Sequence, residues 1–147
     1  MNTPATTNVL FPVRADRDTD WGVRFLMDLY RREGVRIHLL SVRMPYDGVV
    51  GRFFSEAELE RIYREDGEAE LQPVRAVLEA AHIPYAYHIV AGRSADAIAE
   101  YAREYHCRQI VLGPQREKGT LSRMLLGSLA TQVQHLMQVA GEPCEVV

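Results

Sequence analysis

Lysine is almost missing from this chain. Lys118 is the only one, so the other sixteen of seventeen basic residues are arginine. Two readings compete: a coding bias, or recognition of anions, which guanidinium groups grip bidentately. Cysteine is scarce as well. Cys107 and Cys144 are too few for a disulfide framework and lack metal-ligand spacing, so both are expected as small buried hydrophobes in a reducing cytoplasm. No apolar run approaches the roughly 18 residues that span a bilayer, so no membrane partner is expected. The opening residues are polar and do not form a signal peptide; residues 1–7 are expected as a flexible arm. No sign of charge dominates, with 17 basic against 20 acidic residues and a net charge of -3. That balance argues against a protein that coats nucleic acid. What the chain does have is ordinary globular composition, 47% apolar and 25% charged over 147 residues. One domain covering 1–147 follows, long enough to bury a single core.

Strand and helix patterns alternate. Residues 8–13 are a short run apolar on both faces, as in a buried parallel strand. Residues 19–33 carry Val23, Leu26, Leu29 and Tyr30 at helical spacing, with Gly34 just beyond. A second strand fills 35–42. Ser55-Glu-Ala-Glu58 is a capping box opening a second helix, in which Gly67 and Pro73 predict a kink or break near 67–73. A third strand, 85–90, ends at Ala91-Gly92. Ser94 is expected to cap a helix with Ile98, Tyr101, Ala102 and Tyr105 on one face. A fourth strand, 109–112, stops at Gly113-Pro114. A helix over 121–140 and a short strand over 143–147 complete a β-α-β-α-β-α-β-α-β order. That order predicts an α/β fold, a three-layer sandwich around a five-stranded parallel sheet of Rossmann-like type. Ligands in such sheets sit beyond the carboxyl ends of the strands, which singles out Arg14, Val42 and Gly113.

The loop after the fourth strand is the most informative stretch, Gly113-Pro-Gln-Arg-Glu-Lys-Gly-Thr-Leu-Ser-Arg-Met-Leu-Leu-Gly-Ser128. Glycines let phosphate approach the backbone, and Arg116, Lys118 and Arg123 add positive charge. A solvated charged loop explains the same residues. The segment resembles the signature of the universal stress protein (UspA) family, in which an apolar strand is followed by Gly-x2-Gly-x9-Gly-[Ser/Thr]. Val9-Leu-Phe-Pro-Val13, Gly92-Arg-Ser-Ala-Asp-Ala-Ile-Ala99 and Pro143-Cys144 resemble other parts of that family, so the likeness spans nearly the whole chain. It implies an adenine-nucleotide fold with ATP or AMP as the expected ligand. It also implies a homodimer paired through its last strands and a role in stress adaptation.

The departures weaken the nucleotide expectation. Counting back from Gly127, the family's middle glycine falls on Glu117 and its first on Pro114. A carboxylate repels phosphate, and proline has no N–H to offer. Where nucleotide-binding members end the first strand in Asp, this chain has Arg14. The candidate site is therefore Pro12, Val13, Arg14, Val42, Gly113, Arg116, Arg123, Gly127 and Ser128, with Pro12 and Val13 as scaffold. Arg14, Arg43, Arg116 and Arg123 are expected to crowd the mouth of the sheet and favour an anion. Three roles compete: a signalling module with weak or no ATP binding, a nucleotide binder with slow hydrolysis, and a structural interaction domain. No catalytic residues and no metal ligands are identified.

Other motifs fall away. Lys118 precedes Gly119, the wrong order for a P-loop. The acidic residues a receiver domain would carry after its first and third strands are missing. His38, His82, His88, His106 and His135 lack ligand spacing and read as core or surface groups. The acidic run from Glu56 to Glu70 reads as a solvated helix face. Tyr85 and Tyr87 share a face of their strand. Glu145 in the short last strand opposes edge pairing there.

Overall fold

A computed structural model describes residues 6–115 and 128–147. The strands are β1 (Asn8–Pro12), β2 (Arg36–Arg43), β3 (Tyr85–Ala91), β4 (Cys107–Ile110) and β5 (Glu145–Val146). The helices are α1 (Thr19–Glu33), α2 (Gly48–Gly51), α3 (Glu56–Ala80), α4 (Ser94–Glu104) and α5 (Leu129–Ala140). All four strand pairings are parallel, in the order β3-β2-β1-β4-β5. The chain therefore winds outward from β1 to β3, then returns to start again at β4 on the other flank of β1. Right-handed crossovers place helices on one face during the first run and on the opposite face after the reversal.

The core divides accordingly. Val9, Phe11, Ile37 and Leu39 face α1 and α3, where Leu26, Leu71, Val74 and Leu78 pack. Leu10, Leu40 and Ile110 face α4 and α5, meeting Ile98, Ala102, Val133 and Met137. Successive strand residues serve opposite layers, which is why the strands read as unbroken apolar runs. Among the described residues no helix is long and apolar enough to cross a membrane.

The expected break near 67–73 does not occur: α3 is one continuous helix through both Gly67 and Pro73. Gly67 is there for packing. A Cβ at that position would lie 2.5 Å from Ile89 Cγ2, so its absence lets α3 press onto β3. Pro73 sits on the solvent side of α3, as does Ala69, whose carbonyl loses its helical N–H partner to the proline. The capping box of Ser55 and Glu58 forms as expected. Ser94 does not cap α4; Arg93 holds the cap position and makes no side-chain cap bond. Ser128 caps α5 by accepting the Thr131 N–H at 3.1 Å, and 121–127 of the expected helix lie outside the described residues. β4 begins two residues earlier than expected, and its backbone pairing continues past Ile110. Val111 N–H bonds Leu10, while Leu112 and Gly113 both donate to the Val147 carbonyl.

A polar chain fixes α4 to the sheet. Asn8 Nδ2 donates to the Tyr105 carbonyl at 2.9 Å, which turns its Oδ1 toward His38 Nε2 at 3.1 Å. His38 Nε2 therefore carries the hydrogen and Nδ1 accepts from the Tyr101 hydroxyl at 3.1 Å. That leaves His88 Nδ1 to donate to the Tyr101 oxygen at 2.8 Å. Burial, aided by Arg36 and His88, holds the His38 pKa below its ordinary value. Burial likewise pushes the Tyr101 hydroxyl upward, so it stays protonated.

Candidate functional site

A cleft of about 440 Å³ opens beyond the carboxyl ends of β1 and β2. Val13, Arg14 and Asp16 enter from the end of β1, Val42 and Arg43 from the end of β2, and Ser94 from the start of α4. Tyr63, Asp66 and Glu70 enter from α3, and Met44 and Tyr46 from the loop after β2. Val13 is fixed by its N–H bond to the Leu40 carbonyl at 2.9 Å and, with Val42, forms the apolar floor. Tyr46 stacks on Tyr63 with centroids 5.8 Å apart and an interplanar angle of 20°. Its N–H also bonds the Tyr63 hydroxyl at 3.0 Å, so this pair anchors the loop beside the cleft.

Of the four cations expected at the mouth of the sheet, Arg14 and Arg43 are among the described residues. Arg14 and Arg43 do reach the cleft, but each is already engaged. Arg14 Nε and Nη2 donate to the two oxygens of Asp16 at 2.9 and 3.0 Å, and Nη1 donates to Ser94 Oγ at 2.8 Å. Ser94 is the first helical residue of α4, one position past the cap, and its hydroxyl serves Arg14 instead. Arg14, chiefly by this hydrogen bond, draws the Asp16 pKa below the usual carboxylate value. Arg43 Nη1 lies 3.3 Å from Glu70 Oε1, which also accepts from the buried Ser41 hydroxyl at 2.6 Å. Described residues thus bring three carboxylates, Asp16, Asp66 and Glu70, against two guanidinium groups. Two of the three carboxylates are paired with these guanidinium groups, Asp16 with Arg14 and Glu70 with Arg43.

The other expected site residues are divided. Pro12 ends β1 and serves as scaffold. Gly113 stands just beyond β4 with φ +74°, a backbone conformation that favours glycine, and a Cβ there would press on Trp21 Cε3 at 3.0 Å. Its carbonyl accepts from Arg17 Nη1 at 3.0 Å. Ser128 spends its hydroxyl on Thr131 as the α5 cap. Arg116, Arg123 and Gly127, together with Glu117 and Lys118, lie outside the described residues.

Asp16, Arg17, Ser41, Asp66 and Glu70 were not picked out by sequence, and Ser94 was read only as a helix cap. For α3 a signal existed: Tyr63, Asp66 and Glu70 stand at i, i+3 and i+7, one helix face. It was masked by the acidic residues around it. Arg17 joins Gln115 in an isolated antiparallel bridge that straps the loop after β1 to the loop after β4. Among the described residues no cluster of His, Cys, Asp or Glu is arranged to hold a metal.

No curated protein matches the chain. Solved structures resemble it over nearly its full length. A universal stress family protein from Burkholderia pseudomallei is 16% identical with a TM-score of 0.66, covering 99% of this chain and 98% of the other. A universal stress protein in complex with cAMP is 17% identical, TM-score 0.65, covering 97% and 95%. An Arabidopsis thaliana universal stress family protein with AMP bound is 17% identical, TM-score 0.59, covering 96% and 89%. Likeness at that identity shows the fold. The sequence profile of the universal stress protein family matches residues 6–139, and the chain therefore belongs to that family.

Proposed function

We propose that this protein is a cytoplasmic stress-adaptation module that senses a ligand or partner and binds ATP weakly or not at all. The observation that supports this reading is the pairing of both cleft arginines with carboxylates, Arg14 with Asp16 and Arg43 with Glu70. A triphosphate entering there would have to displace those pairs and approach Asp66 as well. Pro114 and Glu117, at the family's glycine positions, act in the same direction. The two cysteines are unpaired, in keeping with a reducing compartment. The working form in this reading is a homodimer. Calorimetry with ATP is the test. A dissociation constant weaker than about 0.1 mM, less than about 5.5 kcal/mol of binding, is expected. Purification with ATP or AMP bound overturns the proposal.

A second reading, adenine-nucleotide binding with slow hydrolysis, draws on the apolar floor of Val13 and Val42 beside the stacked tyrosines. It also draws on the AMP- and cAMP-bound relatives. Mass spectrometry of small molecules released from freshly purified protein separates the two.

A further inference from the structure

Large apolar side chains are left in water chiefly at one place. Among the described residues eight are exposed, and six of these fall within 44–54, the loop after β2 that contains the single turn α2. They are Met44, Tyr46, Val49, Val50, Phe53 and Phe54, with Phe53 80%, Val49 69% and Met44 65% exposed. Apolar residues scattered singly are ordinary on a surface, whereas a cluster marks a place of contact. Tyr, Phe and Met are also the residue types that concentrate at the centre of protein interfaces.

The cluster is held in shape. Asp47 caps α2 by accepting the Val49 and Val50 N–H groups at 3.1 and 3.0 Å. The N–H groups of Gly51, Arg52, Phe53 and Phe54 continue the winding onto carbonyls of Asp47, Val50 and Gly51. Tyr46 stacks between Phe54 and Tyr63, with ring centroids 6.4 and 5.8 Å away. A surface formed in advance loses little freedom when it is covered. Every backbone N–H from Val49 to Phe54 is already taken, so the surface offers side chains and no strand edge. A helix suits it, because a helix satisfies its own backbone and presents only a face.

Charge selects among occupants. The loop and the first turn of α3, 44–58, carry Asp47, Glu56 and Glu58 against Arg52, all of them exposed. A second copy would set this acidic rim against itself, and the anionic surface of a membrane would be repelled by it. A partner with basic residues beside its apolar face meets neither cost. We infer that this surface docks an amphipathic helix of another protein, one whose apolar face is flanked by lysine or arginine. The inference supplies a partner for the proposed sensing role and rests on that reading for its purpose; the surface itself does not depend on whether ATP binds. Met44 and Tyr46 also line the cleft, so a ligand there and a partner here touch the same two side chains.

Fluorescence anisotropy of labelled amphipathic helical peptides is the test. A leucine–lysine peptide is expected to bind at micromolar concentration, and its leucine–glutamate counterpart at least about tenfold more weakly. Val49→Ser combined with Phe53→Ser is expected to weaken the leucine–lysine peptide at least about tenfold and to leave the melting temperature unchanged, because both side chains stand in water. Glu56→Lys should narrow the preference between the two peptides. The inference is overturned by no binding of the leucine–lysine peptide at high micromolar concentration, by equal binding of the two peptides, or by equal binding to wild type and the double variant. It is equally overturned if the double variant loses binding to phosphatidylcholine–phosphatidylserine vesicles instead, which assigns the surface to lipid, or loses an oligomer instead, which assigns it to a second copy. None of these outcomes alters the calorimetry with ATP, so the nucleotide reading stands or falls separately.

Discussion

Arg14 and Asp16 hold each other through two parallel hydrogen bonds, Nε to Oδ1 at 2.9 Å and Nη2 to Oδ2 at 3.0 Å. The pair neutralises a guanidinium at the place where an anion would need one. Asp16→Asn removes the competing charge and keeps the shape. AMP affinity is expected to rise about tenfold, roughly 1.4 kcal/mol, as Arg14 becomes available. The pair is partly exposed, with side chains 25% and 44% accessible, so the stability cost is expected to stay within about 1 kcal/mol. Isothermal titration of wild type and variant with AMP reads the first effect, and urea unfolding the second.

Gly67 is expected to resist substitution. Alanine adds about 1 kcal/mol of helix propensity in mid-helix, but its Cβ would meet three Ile89 side-chain carbons within 3 Å. Overpacking of that kind costs about 1–3 kcal/mol, so Gly67→Ala is expected to be net destabilising. Ile89→Ala should make room for it. A double-mutant cycle by denaturant unfolding checks this: the two substitutions together should cost less than the sum of each alone.

Stability is expected to fall in mild acid. Burial holds His38 neutral, with its pKa below the ordinary 6.5. The unfolded chain binds this proton near its ordinary pKa and the folded chain does not. The associated stability is therefore fully present above pH 6.5 and is lost as pH falls through the folded value. The slope cannot exceed about 1.4 kcal/mol per pH unit for one group. Unfolding curves at pH 7.5 and 5.5 should differ for wild type and differ less for His38→Gln.

The two thiols are expected to be sluggish. Burial pushes Cys107 up to about 12 and Cys144 up to about 11. At pH 8 both are almost entirely protonated, and only the thiolate is nucleophilic. Ellman titration of the native protein should label Cys144 slowly and Cys107, 2% exposed, only on unfolding.

Much of the fold was legible because both faces of the sheet are covered. Val9 and Leu10 look to opposite layers, so the strand reads as a solid apolar run whichever residue is inspected. The continuity of α3 was not legible, because the reason for Gly67 is Ile89, twenty-two positions away in another element. The site was legible at Val13, Arg14 and Val42, which follow from strand ends. Its sign was not: Asp16 and Glu70 become relevant only when the turn after β1 and the face of α3 converge on the arginines. Ser94 was identified but given the wrong task, since a hydroxyl beside a helix start reads as a cap until a guanidinium claims it.

The strap of Arg17 and Gln115 lies over the seam between β1 and β4, where sheets of this order usually open. With that seam bridged, the accessible doorway shifts one strand over, to the side walled by α3. That side is lined by Tyr63, Asp66 and Glu70 of the long helix α3. The shape and charge of the cleft are therefore set as much by a helix face as by the strand ends.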